Sequence, residues 1–269
     1  IRGLLEGPVP GMSGGALRPE AAGGIRIQCR GLQLAYENGR RPALESVRLD
    51  LAPGRHTALV GGSGAGKSTL VFLLLGFARP DRGEIVVNGV PLGEIDLGWW
   101  RRQVGWIGQN PVLFHGTIRE NLRLGRPEAG DGEIVAAARE AGVLKFADRL
   151  PRGLDTPVGE QGSGLSRGEA QRVALGRVFL KNAPVLLLDE PCAGLDAETE
   201  HLVTAAIESL RAGRTVLTVT HRLADIQRAD HILVLEQGRI VEEGSPADLM
   251  TAAGPFQRLT GVLPAGDTP

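Results

Sequence analysis

What this sequence lacks narrows it first. It has two cysteines in 269 residues, Cys29 and Cys192, too few for a disulfide framework and suited to a reducing compartment. It has no long apolar run, and stretches such as Leu70–Leu75 fall far short of the roughly 18 residues that a membrane-spanning helix needs. No secretory signal pattern appears, so a soluble, cytosolic chain is expected. Charge of one sign is missing as well: 30 Lys+Arg face 31 Asp+Glu, for a net charge of -1. A dedicated nucleic-acid binder usually shows a basic surplus, so nucleic acid is not expected as a partner. Lysine is scarce, with Lys67, Lys145 and Lys181 against 27 arginines. The chain begins at Ile1 and not at a methionine, from which a fragment of a longer protein is expected.

What is present is an ordinary globular composition, 42% hydrophobic and 23% charged, on a length that allows one large domain or a domain with a small satellite. Residues 1–24 hold seven glycines and three prolines without periodicity, and read as a linker. Ile25, Ile27 and Cys29 alternate with polar residues, as do Val47, Leu49 and Leu51, which predicts two half-buried strands. His56–Val60 is a short apolar run before a glycine cluster, and Ser68–Leu75 is helical in character. Glu84–Val87 followed by Asn88-Gly89 predicts a hairpin turn. Helices are expected from Asp131 to about Gly142 and from Arg167 to Leu180. Val185–Leu188 and Thr215–Thr220 are apolar without alternation, as strands buried on both faces of a parallel sheet are. Ser245-Pro246 offers an N-cap with proline at the first helical position. The sum is an α/β core interrupted by a helical insertion.

Three segments carry chemistry. Gly61-Gly62-Ser63-Gly64-Ala65-Gly66-Lys67-Ser68 matches the G-x-x-x-x-G-K-[ST] phosphate loop at every fixed position. Its glycines let backbone N–H groups converge on phosphates at a helix N-terminus. Lys67 supplies a compact point charge, and the Ser68 hydroxyl can ligate Mg2+. A lysine here, in a chain that otherwise uses arginine, fits a phosphate cradle, where the two cations are not interchangeable. The second segment, Val185-Leu186-Leu187-Leu188-Asp189-Glu190, is an apolar strand with two acids at its carboxyl end, where ligands of open α/β sheets bind. Asp189 would hold Mg2+ and Glu190 would polarise the attacking water, since phosphoryl transfer is mostly positioning and electrostatics. Read alone, the pair could equally be two solvated acids; the phosphate loop 122 residues upstream favours the functional reading. Third, Leu165-Ser166-Arg167-Gly168-Glu169 opens a helix. Ser166 with Glu169 is a capping box that any helix could use, or else Ser166 and the backbone near Gly168 form a second anion-binding terminus.

Together these segments resemble the nucleotide-binding domain of ABC transporters over about residues 25–256. Gly61–Ser68 resembles Walker A, Val185–Glu190 Walker B with its catalytic glutamate, and Leu165–Glu169 the LSGGQ signature. Ala193-Gly194-Leu195-Asp196 is similar to the D-loop, Gln109 to the Q-loop glutamine, and His221 to the H-loop histidine. The resemblance implies a P-loop NTPase, RecA-like α/β core. An N-terminal antiparallel β subdomain and an inserted helical subdomain at about 109–181 would complete a domain of residues 25–262, followed by a tail at 263–269. It implies ATP and Mg2+ as ligands. Nucleotide contacts fall on Tyr36, Gly62, Ser63, Gly64, Ala65, Gly66, Lys67, Ser68, Thr69, Gln109 and Asp189, and metal contacts on Ser68, Gln109 and Asp189. Glu190, His221, Lys67 and Gln109 become the catalytic set. Two such domains would sandwich ATP head to tail, Ser166 and Gly168 serving the nucleotide held by the partner. The signature departs from the pattern at Arg167, a positive charge near a phosphate, and at Glu169, a negative one that capping would turn inward.

Trp106–Pro111, Leu150–Gly159 and Gly254-Pro255-Phe256 look like type-I exporters, most closely the CydD-type subunit of the heterodimeric exporter of thiols (cysteine or glutathione) used in cytochrome bd assembly. That resemblance implies a heterodimeric partner, a transmembrane domain, and a place at the cytoplasmic face of the inner membrane. Competing readings are a soluble ABC ATPase of DNA repair or translation, and a regulatory half with weak turnover. The 98 positions from Lys67 to Leu165 leave no room for the coiled coil of a repair ATPase, and a translation ATPase carries two cassettes. Among the remaining residues, Cys192 reads as a small packed side chain. His56, His115, His201 and His231 lack metal-ligand spacing. Trp99 and Trp100 could face a partner or a core.

Overall fold

A computed structural model describes residues 14–21, 23–36, 42–159 and 164–261. In chain order its elements are β1 (Ile27–Leu34), β2 (Leu44–Leu51), β3 (His56–Val60), α1 (Lys67–Leu74), β4 (Arg82–Val87), β5 (Val90–Pro91), α2 (Leu97–Gln103) and β6 (Val104–Ile107). Then follow β7 (Gly116–Thr117), α3 (Ile118–Arg123), α4 (Asp131–Glu140), α5 (Leu144–Ala147), β8 (Pro157–Val158), α6 (Arg167–Lys181), β9 (Val185–Asp189) and α7 (Ala197–Arg211). The chain closes with β10 (Thr215–Val219), α8 (Leu223–Gln227), β11 (His231–Glu236), β12 (Arg239–Gly244), α9 (Pro246–Thr251) and α10 (Pro255–Thr260). It divides into a unit of Ile1–Val104 with Gly213–Pro269 and a unit of Gly105–Ala212. Among the described residues no helix is long and apolar enough to cross a membrane.

In the first unit the alternating segments form an antiparallel sheet in the order β2-β1-β4-β5. Ile27 and Cys29 are buried and face Leu51 and Leu49 on one side and Val87 and Ile85 on the other. The ladder slips near Gly31 (φ +64°), and a side chain on the opposite Gly83 would lie 2.3 Å from the Gly31 carbonyl. Asn88 and Gly89 have φ of 46° and 84°, the two positive angles of a type I′ hairpin. The second sheet of this unit runs β12-β11-β3-β10. Buried β3 pairs in parallel with β10 and β11, as its unbroken apolar run requires, and β12 returns antiparallel through Gln237-Gly238. His56 is a satisfied core histidine whose Nε2 lies 2.9 Å from Thr218 Oγ1. Trp100 is fully buried and donates to the Leu74 carbonyl at 2.8 Å, whereas Trp99 is half-buried. Ser245 caps α9 by accepting from the Asp248 N–H, and Phe256 is buried with Ile226, Ile232 and Leu249.

The stretch expected to be a linker makes ordered contacts where it is described. Residues 14–21 and 23–24 dock on the antiparallel sheet and the turn before α2. Leu17 N donates to the Glu94 carbonyl at 3.0 Å and Asp96 N to the Leu17 carbonyl at 2.9 Å. The Asn88 side chain donates to the carbonyls of Glu20 and Gly24. Asp96 accepts both from the Trp99 N–H and from Arg18, which hold its carboxyl below the usual range. Glycines that look like spacers are small for contact, since a Cβ on Gly15 would sit 2.0 Å from the Glu94 carbonyl oxygen. Residues 1–13 and 22, the tail at 263–269, and the expected domain end at 262 lie outside the described residues.

In the second unit, α6 is the central rod, longer than the expected insertion's other helices and buried along Ala170, Val173, Leu175 and Val178. It packs against α3, α4 and α7. Gly176 admits Leu122, whose Cδ2 would be 2.4 Å from an added Cβ. β6 lies beside β9, and β7 pairs with β8. Arg177 on α6 donates to the carbonyls of Asn121 and Val112 at 2.9 and 2.6 Å and lies over the Phe114 ring. Burial lowers its pKa to about 10, so it stays charged at neutral pH. Arg177→Met keeps the alkyl stem but strands those acceptors. A loss of about 2 kcal/mol is expected, read as a melting temperature lower by about 4–8 °C; an unchanged melting temperature would show the bonds to be dispensable.

Candidate functional site

In the first unit, a candidate cluster follows β3. Gly61 is required because a Cβ there would lie 2.3 Å from the Leu235 carbonyl oxygen. Gly64 and Gly66 have φ of 76° and 107°, and Gly66 also faces the Ala43 carbonyl oxygen at 2.4 Å from a would-be Cβ. These turns put Lys67 at the first position of α1, with Ser68 next. Lys67 Nζ donates to the carbonyls of Gly61 and Gly62 at 2.7 and 2.9 Å, so the ammonium lies over the curled loop, at the positive end of a helix. A cavity of about 530 Å³ opens here, lined by Tyr36, Pro42, Ala43, Gly64–Thr69, Gln237 and Gly238. Tyr36 is 37% exposed and its hydroxyl pairs with Thr69 Oγ1 at 3.0 Å. Its aromatic face is therefore carried beside the loop despite the intervening chain. In the same unit, exposed His221 follows β10, in a turn held by Thr220. That hydroxyl donates to Asp225 and accepts from the Arg222 N–H, each at 3.1 Å.

In the second unit, another cluster ends β9. Val185–Leu188 is buried and Asp189 and Glu190 are half-buried. Glu190 has φ of 47°, left-handed for a residue with a side chain, a strain that tertiary contacts must hold and that recurs at functional sites. Its Oε2 accepts from Gln109 Nε2 at 2.8 Å. Two residues singled out from separate motifs, 81 positions apart, thus touch.

The signature helix start is a capping box. Glu169 Oε2 accepts from the Ser166 N–H at 2.8 Å and Ser166 Oγ from the Glu169 N–H at 3.3 Å. Glu169 is turned back on its own helix, as capping predicts. Gly168 is buried, and a Cβ there would lie 2.6 Å from Thr199 Cγ2. Thr199 itself is capped by Asp196 at 2.9 Å, a contact that holds the Asp196 carboxyl below its usual range. Arg167 is not disposed as a loose charge. Its Nη2 donates to the Gln109 carbonyl at 3.1 Å and to Asn110 Oδ1 at 3.3 Å. Cys192 is buried, with Sγ 3.6 Å from Thr204 Oγ1, a packed residue as its sequence context suggests.

Sequence reasoning missed Pro42, Ala43, Gln237 and Gly238 in the cavity wall. Gln237-Gly238 carried a signal, a turn between two apolar strands; Pro42-Ala43 carried none. Also missed were the Arg167 tether and the Gln109–Glu190 bond, since pairing across 58 and 81 positions leaves no local pattern.

A sequence profile described as "ABC transporter" matches residues 44–193. The chain is 41% identical over 259 residues to the "ATP-dependent lipid A-core flippase" of Neisseria meningitidis serogroup A / serotype 4A, covering 96% of the chain and 41% of that protein. It is 42% identical over 258 residues to the "Mycobactin import ATP-binding/permease protein IrtB" of Mycobacterium bovis, covering 96% of the chain and 44% of the relative. A solved "bacterial Atm1-family ABC exporter with ATP bound" superposes with a TM-score of 0.85 at 37% identity, over 95% of this chain and 44% of that one. The chain thus spans less than half the length of the relatives it matches. With a phosphate loop, an acid-tipped buried strand and these relatives, the chain belongs to the ABC transporter family as one of its ATP-binding ATPase domains.

Proposed function

We propose that this chain powers an ABC exporter by hydrolysing ATP with Glu190 as general base. The observation that carries the reading is the end of β9, where Glu190 is held in a strained left-handed conformation with the Gln109 amide 2.8 Å from its carboxylate. In this reading Tyr36 stacks on adenine, and the loop from Gly62 to Thr69 surrounds the phosphates with Lys67 as its cation. Glu190 accepts a proton from the water that attacks the γ-phosphorus, and the β–γ bridging oxygen leaves with ADP. His221 contacts the γ-phosphate and helps hold the site closed. The Ser68 hydroxyl, the Asp189 carboxylate and the Gln109 amide oxygen are hard oxygen donors that fit Mg2+, which when bound neutralises phosphate charge. Among the described residues no group of three or more His, Cys, Asp or Glu offers a competing metal site.

The partners proposed are a second nucleotide-binding domain, head to tail, whose nucleotide Ser166 and Gly168 would serve, and a transmembrane domain at the cytoplasmic face of the inner membrane. The relatives carry "flippase", "permease" and "exporter" in their names, and the chain covers 41–44% of them, which supports a membrane portion. A CydD-type thiol cargo and an unlike partner rest on residues 106–111, 150–159 and 254–256. The curated relatives instead name lipid A-core and mycobactin, so the cargo is tested by transport in the complete transporter.

Two variants of the full chain test the chemistry. Glu190→Gln is expected to keep ATP affinity while turnover falls by about 100-fold or more, measured by phosphate release beside an equilibrium nucleotide titration. Retained turnover would remove Glu190 as the base. Lys67→Ala is expected to weaken ATP binding by about 10–100-fold, the value of a charge-assisted hydrogen bond. Equal affinity with an unchanged melting temperature would refute its role as phosphate cation.

A further inference from the structure

Arg167, one of the two signature positions at which this chain departs from the family pattern, makes contacts that a glycine cannot. It is the first residue of α6, and its guanidinium reaches 58 residues back to donate to the Gln109 carbonyl at 3.1 Å, and to Asn110 Oδ1 at 3.3 Å. Gly194 packs against the same guanidinium. A Cβ on that residue would lie 2.9 Å from Nη1 and 3.2 Å from Cζ, and its φ of +69° also favours glycine. Three segments therefore converge on one planar group: the start of α6, the 109–110 turn and the turn before α7. The acceptors of its hydrogen bonds are neutral. The carboxylates of Glu169 and Asp196, on the same segments, accept from the Ser166 and Thr199 backbone N–H groups. The guanidinium fork is thus used for geometry, a task suited to its fixed, planar donors and poorly matched by lysine.

The residue so held is the one whose side chain donates to Glu190 at 2.8 Å. Fixing the Gln109 backbone fixes the origin from which its amide reaches the carboxylate. We infer that Arg167 is a positioning residue for ATP hydrolysis, tying the Gln109 turn to the start of α6 and so holding Gln109 against Glu190, and that it acts in cis, not as a ligand of phosphate. This rests on the reading of Glu190 as general base. It replaces the expectation that Arg167 simply adds charge beside a nucleotide.

The test compares Arg167→Ala and Arg167→Lys, each with Gln109 intact and with Gln109→Ala, in steady-state ATP hydrolysis by the full chain. Misplacing a catalytic group is costly, so Arg167→Ala is expected to lower kcat by about 10-fold, with KM for ATP within about twofold. Arg167→Lys is expected to recover less than half of the loss, because one ammonium does not reproduce the fork. In the Gln109→Ala background, Arg167→Ala should cost less than about twofold more, since the two act through one path. An independent readout is amide hydrogen exchange, which should quicken over residues 108–110 in Arg167→Ala while α6 stays protected. A raised KM at unchanged kcat, strictly multiplicative losses, or unchanged exchange at 108–110 would each overturn the inference. Glu190→Gln assayed alongside separates the two failures. If it still turns over, the general-base reading falls; if it is inactive while Arg167→Ala matches the unaltered chain, only the role of Arg167 falls.

Discussion

The approach of carbonyl oxygens to the phosphate loop is the constraint on which the first unit's chemistry depends. Leu235 O presses on Gly61 and Ala43 O on Gly66, at 2.3 and 2.4 Å from where a Cβ would stand. No side chain fits there, so the loop must turn through left-handed conformations at Gly64 and Gly66 before α1 begins. That turn aims the start of a helix at the cavity and folds Lys67 over the loop. The helix then buries Leu70, Val71, Leu73 and Leu74 in the core, so the proposed phosphate cradle is anchored by apolar packing.

A similar logic governs the second unit. A strand buried on both faces cannot carry charge until it leaves the core, which is why Asp189 and Glu190 come together at its end. The backbone there turns left-handed at Glu190, and the Gln109 amide meets the carboxylate. Around it, small residues allow close passage: Gly168 against Thr199, Gly194 against Arg167. The glycines of the signature and of the turn before α7 have packing roles in this chain whatever ligand they serve.

Much of this was legible in the residues. The hairpin at Asn88-Gly89, the helix from Asp131, the cap at Ser245 and the buried strands at 185 and 215 stand where local patterning places them. These are short-range signals, set by turn chemistry, capping and apolar periodicity. Glycine and proline in the stretch before Ile25 signal a linker when nothing nearby is known, and the contacts made by its described residues carry no such local signal. Gly15 and Leu17 instead contact Glu94, far along the chain, and their smallness and edge pairing have meaning only against that partner. Trp99 and Trp100 are adjacent and alike in sequence, and only packing separates the half-buried ring from the fully buried one.

The amino-acid sequence by itself determined the kind of chemistry: a glycine-rich loop with a lysine, an acid-tipped apolar strand and their order suffice, because each motif's function is written in contiguous residues. Tertiary structure alone decided what each motif touches. The Arg167 guanidinium is committed to the Gln109 turn, and Gln109 to Glu190. Hydrogen bonds of a few ångströms between residues tens of positions apart depend on how the chain packs, and no local pattern encodes them.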